Sequence, residues 1–209
     1  MRFSPYDWKP SDLVAGDVAV DFVNTASKWR EEPVDRLGGL AGFADWARLA
    51  GLLTAEAAKA LKASAAARPD EAAAVFEDAA ALRHALWRIF DAAAHGGLAH
   101  AKDLGALKGW TRRAAQHLEL EQTGAGFRER WGPEAPVLET PLYEIALAAE
   151  KLLKEGRLDR LHVCSGDGCG WLFLDTSKNG ARRWCSMSTC GNDAKVKKFR
   201  RRKSAKAAR

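Results

Sequence analysis

The chain has 209 residues, 47% of them hydrophobic, with eight tryptophans, four cysteines and a formal net charge of +6. That length can bury one full core and carry a small second module, and the composition excludes a disordered or collagen-like protein. No run of about eighteen apolar residues is present and the start, MRFSPYDWKPSD, has no apolar core of the secretory type, so the expectation is no membrane partner and a cytoplasmic protein with reduced thiols.

The first candidate element is DVAVDFVNT. Val18, Val20 and Phe22 alternate with Ala19, Asp21 and Val23, which predicts a strand ending in the turn chemistry of Asn24-Thr25. After Gly38-Gly39, LAGFADWARLAG repeats at helical spacing. Thr54 reads as the N-cap of a second helix, AEAAKALKASAAA, and Pro69-Asp70 starts a third that runs towards His95 and stops at Gly96-Gly97. LAHAKDLGALKGWTRRAAQ is a further helix weakened by Gly105 and Gly109. The period then drops to two residues in HLELEQTGAGFRERW, which predicts a hairpin turning at Gly124–Gly126. Thr140-Pro141 opens the next helix and Gly156 closes it.

Charge divides sharply along the chain. Residues 1–177 hold 21 Lys+Arg against 26 Asp+Glu, whereas residues 178–209 hold 12 against 1. A mildly acidic body therefore carries a strongly basic end, which points to a polyanion partner for the end alone.

Cys164, Cys169, Cys185 and Cys190 form two C-x4-C pairs separated by fifteen residues, each pair followed by glycine. Two short cysteine loops can supply the four tetrahedral corners that Zn2+ requires, and four thiolates leave no open position, so the expected ion is a single structural zinc. Two disulfides are the competing reading, disfavoured in a reducing compartment. Between the pairs, WLFLD predicts a strand, SKNG a hairpin turn and ARRWC a return to the third ligand. Knuckle, hairpin and following helix make a treble-clef-like module. The fold class expected is thus α+β: a mainly helical N-terminal domain with a small sheet over residues 1–156, and the zinc module over 157–209.

Beyond the fourth cysteine, AKVKKFRRRKSAKAAR has no coherent apolar face if helical, which excludes a membrane-surface helix. Val196 and Phe199 share one side, expected to dock on the larger domain or on a partner. The candidate nucleic-acid contacts are Arg182, Arg183, Lys195, Lys197, Lys198, Arg200, Arg201, Arg202 and Lys203. Arg182, Arg183 and Lys195 could instead offset the formal −2 charge of a tetrathiolate zinc site.

HVCSGDGCGWLFLDTSKNGARRWCSMSTCGNDAKVKKFRRRK resembles the CGNR-type zinc finger, found at the C-terminus of bacterial transcription regulators. The body, with VDFVNT near its start and the FADWARLAGLLT helix pair, resembles the ABATE domain that accompanies that finger. The resemblance implies a stress-linked regulator that binds DNA through the finger, with the ABATE domain as the sensor of a small-molecule effector. One letter departs from the family's motif: its final arginine is Asp193 here, after Cys190-Gly191-Asn192. Near the positive end of a helix that aspartate is favourable, but it deletes one expected nucleic-acid contact.

Other residues carry less. His84, His95, His100, His117 and His162 lack any metal-ligand spacing, and no nucleophile–base constellation supports an enzyme. Asp21 and Asn24 fit turn capping better than a pocket. The alternative function is a zinc-stabilised module for RNA or an acidic protein.

Overall fold

A computed structural model of the chain describes residues 2–29 and 31–207, with the backbone alone at residues 202 and 205–207. It is a mainly helical N-terminal part with small sheets, followed by a four-cysteine module that contributes a two-stranded sheet and a helix. Among the described residues no helix is long and apolar enough to cross a membrane.

Three two-residue strands, β1 (Arg2–Phe3), β2 (Ala26–Ser27) and β3 (Val34–Asp35), form a sheet in the order β1-β3-β2, with β1 parallel and β2 antiparallel to β3. Between β1 and β2 lies α1 (Val18–Val23), over the residues expected to be a strand. That expectation is corrected here. Asp17 is extended and its carboxylate accepts from the Ala19 amide at 2.8 Å, an N-cap that starts the helix. Residues Ala19 to Val23 are all buried, so the apolar run carries neither a two-residue nor a 3.6-residue signature.

The other helices of the body are α2 (Leu40–Leu49), α3 (Ala55–Ala67), α4 (Pro69–Ala94), α5 (Ala101–His117) and α6 (Thr140–Glu155). The Thr54 hydroxyl caps α3 by accepting from the Ala57 amide at 3.1 Å. The long α4 packs on α1, α2, α3 and α5, and α1 also packs on α6. Phe22, Phe43 and Trp46 meet at ring separations of 5.7–6.0 Å in the resulting core. Arg83 of α4 is fully buried there and donates to Thr25 Oγ1 (2.7 Å) and Asp35 Oδ1 (3.1 Å), tying α4 to the first sheet. Removing one partner of such a buried pair costs about 3–5 kcal/mol.

Strands β4 (Leu118–Thr123) and β5 (Gly126–Trp131) form the expected hairpin. Its register puts Glu119 opposite Arg130 and Glu121 opposite Arg128, and both pairs are bridged, at 2.5 and 2.7 Å.

The last sheet joins β6 (Leu161–Val163) to β7 (Leu172–Leu174) in antiparallel register, Val163 against Leu172. The expected return strand in ARRWC does not form. Instead the Asp175 carboxylate closes the SKNG loop, accepting from the amides of Ser177 and Arg182 at 2.8 Å each. A side chain takes the place of a backbone ladder, and β7 pairs backwards across the first cysteine loop. A π-helical turn, Met187–Gly191, then leads into α7 (Asn192–Ala207).

The module is seated on the body through backbone groups on the free edge of β7. The Leu174 amide donates to Ala15 O at 2.8 Å. Asn24, 1% exposed, donates from Nδ2 to Leu172 O (2.8 Å) and accepts from the Leu172 amide at Oδ1 (2.9 Å). Its carboxamide thus stands where another strand would, and covers an edge that would otherwise be open. Trp171 Nε1 donates to Ala26 O at 2.9 Å, and Leu161 and Leu172 belong to the same core as the helices.

Candidate metal centre and basic helix

The four cysteines converge from three local structures. Cys164 follows β6, Cys169 precedes β7, Cys185 follows the SKNG loop and Cys190 sits in the π-helical turn. All four sulfurs lie within 4.8 Å of one another, and all four thiols are free. Cys169 to Cys185 is 3.8 Å and Cys185 to Cys190 is 3.7 Å. A tetrahedron whose corners are about 2.3 Å from zinc has edges of about 3.8 Å. The donor set and its spacing fit one Zn2+. With four sulfurs and no further group, the ion would hold the module together and leave no position for substrate.

The surrounding backbone is shaped for thiolates. The amides of Gly166 and Cys185 donate to Cys164 Sγ at 3.3 and 3.2 Å. A Cβ at Gly166 would lie 2.7 Å from Cys190 Sγ, so this position accepts only glycine. Gly170 has φ +69°, and a Cβ there would press on the Trp29 backbone at 3.3 Å. Hydrogen bonds from the Cys169 and Cys185 thiols hold Cys164 far below the ordinary thiol range, and its negative charge and bonding push Cys169 up to about 12. Cys185 and Cys190 are raised as well. To ionise together at this spacing, the four sulfurs would need a cation between them.

Arg182 is half-buried at the base of the module. It stacks on Phe173 at 4.2 Å and donates to Val14 O (2.9 Å), Trp184 O (3.0 Å), Leu174 O (3.4 Å) and Cys185 O. Its donors are thus engaged by carbonyls that join the third cysteine to the body. Arg183 is exposed and lies over the Trp184 ring at 5.5 Å. Trp171 and Trp184 pack against the cysteine cluster, as their positions in the sequence suggest, whereas Trp8 and Trp87 of the body also reach the module.

Helix α7 begins at Asn192, two residues after Cys190, and packs on the π-helical turn. Lys195, Lys197, Lys198, Arg200, Arg201 and Lys203 are all exposed on it; the side chain of Arg202 lies outside the described residues. Lys197 pairs with Asp167 of the first cysteine loop at 2.7 Å, which keeps the lysine charged, with Asp193 one turn earlier adding to the effect. Val196 and Phe199 are 39% and 69% exposed, so they do not dock on the larger domain as one expectation had it. Asp193 is exposed in the first turn of α7.

Asn24 was legible only as a turn residue; nothing in the sequence points from residue 24 to residue 172.

Comparison with known families agrees with this anatomy. A model described as "CGNR zinc finger" matches residues 160–203, spanning all four cysteines and most of α7. The ABATE model, described as "Putative stress-induced transcription regulator", matches residues 16–156, well over half of the chain. No curated protein matches the chain. With its helical body matched by one model and its cysteine cluster by the other, the chain belongs to the ABATE family and carries a CGNR zinc finger after the ABATE domain.

Proposed function

We propose that this protein regulates transcription by binding duplex DNA through α7, with residues 157–209 as the DNA-binding domain and residues 1–156 as a sensor domain. The observation that carries the reading is the helix itself. Six exposed lysines and arginines surround a segment of 16 residues, about 24 Å long, rooted in the turn that carries Cys190. A helix of that diameter enters the major groove, which is about 12 Å wide, and its charges neutralise phosphates on both sides. Arg183 and Arg202 complete the basic set. Arg182 supports the module from its base, and Lys197 reaches phosphate only by exchanging its Asp167 partner.

Salt dependence tests it. If α7 neutralises six phosphates, log K against log salt falls with a slope of about −5, close to a thousandfold loss between 50 and 200 mM. Replacing Lys195, Lys198 and Arg201 by alanine lowers the slope by about three. A flat salt response refutes the reading. The exposed Phe199 supports a second one, stacking on unpaired bases of RNA. Competition between duplex DNA, structured RNA, heparin and an acidic peptide at equal salt separates them.

A further inference from the structure

We propose that the cleft between the N-terminal segment and the zinc module binds a small organic carboxylate with a flat apolar body. The cleft has a volume of 410 Å³, the size of a small-molecule pocket. Tyr6, Lys28 and Arg36 line it from the body; Trp171, Ser188 and Thr189 line it from the module, and so do three of the four cysteines.

Arg36 is the reason for a carboxylate. Its Nη1 donates to Ser4 Oγ and its Nη2 to Ser27 Oγ, each at 3.2 Å, and its guanidinium lies 5.6 Å from the centre of the Tyr6 ring. Two hydroxyls and a ring thus fix its orientation. Among the described residues it makes no ion pair, and it keeps N–H donors in the planar fork that matches a carboxylate. Neither acid on the wall pairs with Arg36: the Asp12 carboxylate accepts from the Tyr6 hydroxyl and the Lys9 amide, and Asp167 pairs with Lys197. Tyr6 and Trp171 supply aromatic surface for the apolar body.

Lys28 gives an independent sign. It has φ 58°, the one left-handed non-glycine residue among those described, and its amide donates to Cys169 O at 3.2 Å. Backbone held in that region costs free energy and gathers at sites of function. In the larger groove between α4 and α5, 850 Å³, the two arginines are engaged: Arg88 and Asp103 bond each other at 2.6 and 2.8 Å and Arg113 lies on Trp110 at 3.7 Å.

Since the walls come from both parts of the chain, an occupant bridges them and steadies the seating of the zinc module. Its regulatory consequence, an altered grip of α7 on DNA, rests on the function proposed above.

The test uses the zinc-loaded full chain and benzoate as probe, followed by amide chemical shifts and calorimetry, without nucleic acid. Saturable one-to-one binding is expected, with shifts at Lys28, Trp171 and Ser188. Benzamide and acetate should each bind at least tenfold more weakly. Arg36→Gln should weaken benzoate at least tenfold. Thr189→Phe, at an exposed position, should block the cleft with Arg36 intact, and decides the matter if the first variant does not fold. Equal affinity in both variants, binding of benzamide as tight as benzoate, absence of saturation, or shifts centred on Trp110 overturn the proposal. Because no DNA is present, this outcome is independent of whether DNA is the partner. In a separate arm, saturating benzoate should change duplex affinity at least threefold, and no change refutes the regulatory consequence alone.

Discussion

Replacing Asn24 by alanine should unseat the zinc module from the helical body. The carboxamide makes two hydrogen bonds to Leu172, at 2.8 and 2.9 Å, and both residues are buried, at 1% and 0% exposure. Alanine leaves the Leu172 amide and carbonyl without partners on a strand edge that water cannot reach. Each such group costs about 1–3 kcal/mol, so the loss is about 2–6 kcal/mol, a large part of a typical domain's total stability. Asn24→Asp is the informative companion. It keeps an acceptor for the Leu172 amide but sets a carboxylate against the Leu172 carbonyl, so it should rescue little. Urea unfolding in zinc-replete buffer reads the cost, and hydrogen exchange at Leu172 and Leu174 locates it. A loss under about 0.5 kcal/mol, or unchanged protection at those amides, refutes the edge-covering role.

Gly166→Ala should weaken zinc by about 10- to 100-fold, measured by competition with a chromophoric chelator, because its Cβ would lie 2.7 Å from Cys190 Sγ. Gly109→Ala is the opposite case: nothing lies within 4 Å of the new Cβ in the helix α5, and it should stabilise the protein by about 0.8–1 kcal/mol in urea unfolding. Zinc binding at neutral pH should release protons, since thiols must ionise to bind it; titration calorimetry in buffers of different ionisation enthalpy counts them, and affinity should fall with falling pH. Burial raises the Asp21 carboxyl from 3.8 to about 7, against the pull of the Ala15 amide at 3.0 Å. The native state therefore holds that proton more tightly than the unfolded chain, and the stability it contributes is complete below pH 3.8 and lost as pH rises through 7. Asp21→Asn should remove this dependence and gain on the parent by up to about 4 kcal/mol across that window; a difference that stays constant with pH refutes it.

The sequence by itself determined whatever rests on local chemistry or short spacing. Two C-x4-C pairs announce a tetrathiolate site because each loop is too short to place its sulfurs far apart, and the charge count isolates the basic end without reference to fold. Thr54 and the glycines at 124 and 126 punctuate elements through backbone preferences that no neighbour need supply, and Pro141 marks the first turn of α6, although Glu139 rather than Thr140 is its N-cap and the Thr140 hydroxyl donates to Pro136 O instead. Tertiary structure alone decided the rest. The run VAVDFV, α1, is wedged between α4 and α6, and with both faces buried its alternation reports nothing about its conformation. Arg182 belongs to a basic cluster in sequence, yet four carbonyls, one of them 168 residues away, draw it inward. Asn24 meets Leu172 across 148 residues, and Arg36 gains its place in a cleft only when the N-terminal segment and the zinc module close around it. Such roles depend on which polar groups burial leaves facing one another, and a linear pattern carries no record of that pairing.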